Sequence, residues 1–253
     1  LFSAMGARPL SPAAGSKRGH VVPRDVSPLG LITGMKSEAA LLYAAAQDGS
    51  DPVCPMIAVT GGDPLRAETA AREFATAGAA GLISFGIAGG LDPALEPGDL
   101  ILAEGVRLPD EDVISTQASW RTAFAAAAAG AADGMIYGSD LAVSRTDDKA
   151  RLFTDYGVRA VDMESHGVAR AAREAGLPFL IVRAIADPAD RTIPPAALAG
   201  LGPDGEQRPF AVMLAMLRNP AQVPALIQLA RDAKTAMRRL AAAAPSVVNS
   251  APV

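Results

Sequence analysis

With 253 residues the chain is long enough for one large α/β domain and too short for two comfortable ones. Half of its residues are hydrophobic and only 4% aromatic, so the core is expected to be Ala, Leu, Ile and Val between tightly packed helices. A net charge of -4 without clustered Lys and Arg argues against a nucleic-acid partner, and no apolar run approaches the ~20 residues that cross a bilayer.

The single cysteine, Cys54, allows no internal disulfide and no metal cluster, which fits a reducing, cytoplasmic setting. Beside Pro55 it reads as a small buried hydrophobe. Residues 1–29 are rich in Pro, Gly, Ser and Ala and lack the apolar centre of a secretory signal, so they read as a disordered extension. Residues 30–245 read as the domain, and 246–253 as a frayed tail.

From Gly30 strand and helix alternate. The pattern predicts a strand at 31–33, a helix at 37–47, a strand at 56–60, a helix at 64–77 and a strand at 81–85. After a Gly-rich turn come a strand at 99–103, a helix at 116–129 and a strand pair, 134–137 with 141–144, bounded by Gly138. A strand at 159–161 leads into a helix at 163–174, which Gly176 and Pro178 stop, and 179–185 is a buried strand. Residues 188–209, rich in Pro, read as a loop and a candidate lid, followed by helices at 209–218 and 223–243. This rhythm matches a parallel sheet covered on both faces.

Four segments carry candidate chemistry. In TGMKSEAALL, residues 33–42, Ser37 is placed to cap the helix; Glu38 is either an ordinary first-turn acid or a group at the sheet mouth that orients a water or a sugar hydroxyl. In TGGDPLRAE, residues 60–68, Gly61 and Gly62 end a strand, and Arg66 either completes an anion site with the backbone N–H groups or is simply solvated. In SFGIAGGL the spacing G-x-x-G-G at Gly86, Gly89 and Gly90 rules out a dinucleotide loop and lets backbone approach a flat ligand.

In VDMES…RAIAD, Glu164 starts a helix and Asp187 follows the most apolar strand, so both face one crevice at a sheet's carboxyl edge. Asp187 there needs partners or an altered pKa. His20 falls in the extension and His166 on a helix face, so acid and base work falls to carboxylates.

These segments, in this order, resemble the nucleoside phosphorylase/nucleosidase superfamily, from about Gly30 to Asp190, most specifically through GxAGGL and VDMES…RAIAD together. The resemblance implies a single α/β domain with a mixed central sheet flanked by helices, no cofactor, a small nucleoside substrate and a homodimer or higher homo-oligomer. It implies that Met163 and Glu164 lie against the ribose, Asp187 protonates purine N7 and Glu38 activates water. Ala88, Gly89, Gly90 and Met35 would line the pocket, with Phe179 leading into the strand of the acid. Gly34, Gly61, Gly62 and Arg66 would hold phosphate as co-substrate. Ala186 and Ile87 stand where relatives often carry hydroxyl residues.

The tail from TIPPAALAGL to RRL looks like that of hopanoid-associated phosphorylases, which implies phosphorolytic removal of adenine from adenosylhopane. The alternatives are a hydrolytic nucleosidase of methylthioadenosine or S-adenosylhomocysteine type, and a non-catalytic nucleoside-binding protein.

Overall fold

A computed structural model describes residues 27–48, 54–127, 130–198 and 219–252. β1 (Leu29–Thr33), α1 (Lys36–Asp48), β2 (Met56–Val59), α2 (Pro64–Thr76) and β3 (Gly81–Gly90) follow the expected alternation, and β1 pairs in parallel with both β2 and β3. β4 (Leu100–Leu102), β5 (Gly105–Arg107), β6 (Val113–Ser115), α3 (Ala118–Ala127), β7 (Met135–Gly138), α4 (Thr146–Tyr156) and β8 (Ala160–Asp162) come next. α5 (Ser165–Ala175), β9 (Phe179–Asp187), the short α6 (Pro195–Leu198), a 3-10 turn at Pro220–Gln222 and α7 (Val223–Val248) complete the order.

Among the described residues nine strands form one mixed sheet, β2-β1-β3-β8-β7-β5-β6, with β9 between β3 and β4. β3 is its pivot. Its first half pairs with β1, it runs parallel to β9 from Leu82 to Gly89, and its last two residues turn to an antiparallel match with β8. The all-parallel rhythm therefore gives way to the mixed sheet, because the three-residue strands β4, β6 and β8 enter antiparallel.

Small apolar residues let the helices lie close on both faces. On one, Ala67 and Ala71 of α2 and Val168 and Ala172 of α5 pack on Leu82 and Ile181. On the other, Leu42 of α1, Trp120 of α3 and Leu240 and Val247 of α7 pack on Leu31, Ile83 and Leu180. Burying each of the large aliphatic side chains is worth about 1.5–3 kcal/mol, so the two clusters clamp the strands that carry the site.

Several expectations change. β3 does not stop at Phe85 but runs through the glycines to Gly90, since β9 supplies partners along its whole length. Residues 141–144 form no strand, and Leu141 lies 76% exposed. The β5–β6 hairpin and α4 were not anticipated. α7 continues past Pro245 to Val248, and Val247 is buried. The ordered strand begins before Gly30, with the Pro28 carbonyl accepting from Ala80 N. Cys54 is exposed rather than buried. The helix expected at 209–218, and the lid beyond Leu198, lie outside the described residues. Among the described residues no helix is long and apolar enough to cross a membrane.

Candidate active site

The carboxyl ends of β1, β3, β8 and β9 gather the ionisable groups. Glu38 is the third residue of α1, and its side chain reaches back to the helix start, where Oε2 accepts from Gly34 N at 3.0 Å and Met35 N at 2.9 Å. Ser37, expected as the cap, sits inside the helix with its hydroxyl unpartnered, and Glu38 satisfies the free N–H groups instead. Oε1 of Glu38 accepts from Ile87 N at 2.8 Å, which ties α1 to β3. Burial pushes the Glu38 carboxyl above its usual range, partly offset by Arg183 and these three N–H groups.

Arg183, mid-strand in β9 and 1% exposed, is the hub. One terminal nitrogen, Nη2, lies 2.5 Å from Asp162 Oδ2, 3.2 Å from Glu164 Oε2, 2.7 Å from Ser84 Oγ and 3.2 Å from Ser165 Oγ. Ser165 donates in turn to Asp162. Glu164 stands at the N-cap of α5 but caps nothing with its side chain, since its carboxylate turns to Arg183. Burial raises it to about 7, against the pull of Arg183 and with Asp162 and Glu38 adding to the rise.

Two glycines make this convergence possible. A Cβ on Gly34 would sit 2.4 Å from Glu164 Oε1 and 3.7 Å from Glu38 Oε2, so both carboxylates face that backbone. A Cβ on Gly86 would lie 2.5 Å from Arg183 Nη1 and 2.7 Å from Glu38 Oε1. Any side chain at either position would displace the charges.

Asp187 closes β9, only 10% of its side chain exposed, with Oδ2 2.6 Å from Lys149 Nζ. Burial raises its carboxyl to about 6, although Lys149 pulls it down; Asp232 adds to the rise. Between Gly86, opposite Arg183, and Gly89, opposite Asp187, the β3–β9 register is irregular, so three residues on β3 match four on β9. These glycines lie about 10 Å apart along the strand.

Among the expected site residues, Gly34, Met35, Glu38 and Glu164 thus meet beside Arg183, and Gly89 meets Asp187 further along the β3–β9 pair, with Met163 half-buried beside Glu164. Ala88 belongs to the core cluster under α2 and α5, and Gly90 abuts Ile185 and Pro188. Phe179 begins β9, about 26 Å from Asp187 at ~3.3 Å per residue, and is core. Ile87 meets Glu38 through its backbone while its side chain packs with Ala186 in the other cluster. The hydroxyls at the site come instead from Ser84 and Ser165.

Arg66 stands apart from the carboxylates on the first turn of α2. Its guanidinium lies 3.6 Å from Asp63 and its side chain is 52% exposed. Asp63 itself accepts from Leu65 N and Arg66 N, so the N–H groups expected to cradle an anion already hold a carboxylate. Gly61 bonds through its N–H to the Gly34 carbonyl, with Gly61 and Gly62 at positive φ in the turn. His166 is buried on α5 with Nε2 3.1 Å from Asp140. Among the described residues no group of His, Cys, Asp and Glu is arranged to hold a metal ion.

Sequence reasoning missed Lys149, Arg183, Asp162, Ser84 and Ser165. Arg183 interrupts an otherwise apolar strand and Lys149 lies on the Leu152–Phe153 face of its helix; a charge on a buried stripe is the signal that finds both.

A model of the phosphorylase superfamily matches residues 28–218. The 5'-methylthioadenosine/S-adenosylhomocysteine nucleosidase of Glaesserella parasuis serovar 5 is 31% identical over 159 residues, 54% of this chain and 69% of the relative. The nucleosidase of the same name from Listeria monocytogenes serotype 4a is 28% identical over 135 residues, 44% of this chain and 58% of the relative, less than two thirds of its length. Among solved structures, the Neisseria meningitidis nucleosidase in complex with methylthio-immucillin-A aligns with a TM-score of 0.67 at 21% identity, covering 88% of this chain and 98% of that one. The native futalosine hydrolase of Helicobacter pylori aligns with a TM-score of 0.63 at 18% identity, covering 86% and 97%. At these identities the two structures speak for the fold alone.

Proposed function

This chain belongs to the phosphorylase superfamily, and from that premise we propose that it hydrolyses the N-glycosidic bond of an adenosine-type nucleoside, releasing adenine. The observation that carries the reading is the pair of buried carboxylates facing Gly34, with a third, Asp187, one strand segment away across the glycines of β3. The nucleosidase names of the relatives support it.

The sugar sits over Met163 and Glu164, whose carboxylate accepts from its diol. Glu38 takes a proton from water as the oxygen bonds to the anomeric carbon, and the bond from that carbon to the base breaks. Asp187 gives its proton to N7 of the departing purine. Positive charge grows on the sugar and negative charge on the base, so carboxylates at one end and an acid at the other favour the transition state over the ground state. Burial raises both carboxyls above the ordinary range, Asp187 to about 6, which favours its holding a proton to donate.

Phosphorolysis, with adenosylhopane as substrate, is the second reading, favoured by the resemblance of the chain's tail. It needs Gly34, Gly61, Gly62 and Arg66 to hold phosphate, whereas Asp63 occupies that helix start, and this tips the balance toward water. The test is incubation with adenosine, methylthioadenosine and adenosylhopane, with and without phosphate, followed by identification of the sugar product. Free sugar without phosphate is expected; turnover only with phosphate, giving a sugar phosphate, overturns the hydrolytic reading. Homo-oligomeric assembly belongs to the same proposal and is read by light scattering.

A further inference from the structure

Lys149 has no part in the chemistry above, yet its side chain is fully buried, with every neighbour of its ammonium an acceptor. Nζ lies 2.6 Å from Asp187 Oδ2, 3.0 Å from the Asp187 carbonyl, 2.9 Å from that of Pro188 and 3.0 Å from that of Arg191. Four acceptors around three protons leave no place for an amine lone pair, so the group is a cation. Burying an ammonium is costly unless its charge is matched, and Asp187 matches it in the ionised form that it reaches once its proton has gone to the base.

We propose that Lys149 is the positioning residue of the general acid: it pins Oδ2 of Asp187 and the turn after β9, leaving Oδ1 to carry the proton to the base. The inference rests on the nucleosidase reading. The other charges near Asp187 do not substitute for it. Asp232 of α7 faces it with the wrong sign, and Arg191 of the turn is committed to Asp232 through Nε at 3.1 Å. Gln228 also donates to Asp232 at 2.8 Å, so α7 presents a satisfied pair rather than a spare cation. From β3, the facing residue is Gly89.

Lys149 therefore does two things at once. It fixes the direction of the carboxyl, and it opposes burial, which alone would make Asp187 hold its proton too tightly to donate it. The test is the pH dependence of kcat and KM for K149M, K149Q and K149R, with D187N and the double variant K149M/D187N. Loss of the charge in K149M and K149Q should move the alkaline limb up by roughly 1–3 pH units, since an opposite charge at this distance shifts a carboxyl by that much. kcat should fall by roughly 10²-fold from misorientation, with KM little changed. K149R should keep the limb in place. K149M should cost nothing further in the D187N background, because a residue acting through another loses its effect when that partner is gone.

K149Q retains an N–H donor, so it reports the limb even where K149M does not fold. A limb that stays put in K149Q, or losses that multiply in the double variant, overturns the inference. If the wild-type protein releases no base, the nucleosidase reading fails instead; if it turns over and K149Q matches it at every pH, only the role of Lys149 falls.

Discussion

Two clusters of buried charge along the β3–β9 pair solve the same problem in opposite ways. In one, the end proposed to hold the sugar, three carboxylates, Glu38, Asp162 and Glu164, surround one guanidinium, that of Arg183. In the other, the end proposed to hold the base, one carboxylate, Asp187, is the only acid paired with the Lys149 ammonium among the described residues. Burial raises acids in both places, but the count of cations decides what each can do. A surplus of negative charge suits a cation forming on a sugar; a matched pair suits an acid that must both hold a proton and let it go.

The largest effects should break this division outright. Asp187→Asn removes the proposed acid and Glu38→Gln the proposed base, and base release should fall by about 10⁴-fold in the first and about 10²–10³-fold in the second, measured as adenine formed per enzyme. An unchanged rate in the Asp187 variant sinks the assignment.

Next comes pH and stability. Glu164 holds its proton to about 7 in the fold against 4.5 unfolded, so its contribution is complete below about pH 4.5 and is lost as pH rises through about 7. Asp187 behaves likewise from 3.8 through about 6. Glu164→Gln should therefore flatten the fall in melting temperature between about pH 5 and about pH 8 and leave the variant relatively more stable at the upper end. A profile parallel to that of the wild type means that Glu164 is not held protonated by the fold.

Gly34→Ala is a smaller, structural probe. Its methyl would meet Glu164 Oε1 at 2.4 Å, and overpacking of this kind costs about 1–3 kcal/mol, readable in urea unfolding. No loss of stability would mean that the carboxylate has room to move aside. The smallest effect is expected at Arg66. Removing this half-exposed charge should change kcat/KM by less than about twofold, with or without phosphate; a large loss confined to the phosphate arm restores the phosphorolytic reading.

Much of this was legible from residues. Residues 179–185 read as a buried strand because the run is apolar and follows Pro178, and the strand extends two residues further, to Asp187; Gly176 stops α5 in the left-handed conformation, φ 65°. Glu38, Glu164 and Asp187 were legible because each is an acid at the edge of such an element. The glycines misled: read as a turn, they are strand, and they are small because Arg183, Glu38 and Asp187 press against them from neighbouring elements. That is tertiary information absent from local spacing. α4 escaped notice because TDDKARLFTDY is mostly polar, and with it went Lys149, whose partners lie 38 to 42 residues further along the chain.

The pivot role of β3 also governs the order in which the molecule can assemble during synthesis. When the ribosome has delivered Gly90, only β1, itself paired with β2, exists to pair with the first half of β3; Gly89 waits for Val161, and Gly86 for Arg183. At ~5–20 residues per second that wait lasts several seconds, with one long apolar strand edge uncovered and Glu38 lacking its cation. A nascent chain halted before Arg183 would have Glu38 but no charge to bury it against. The site that begins with the first helix is completed only with the last strand.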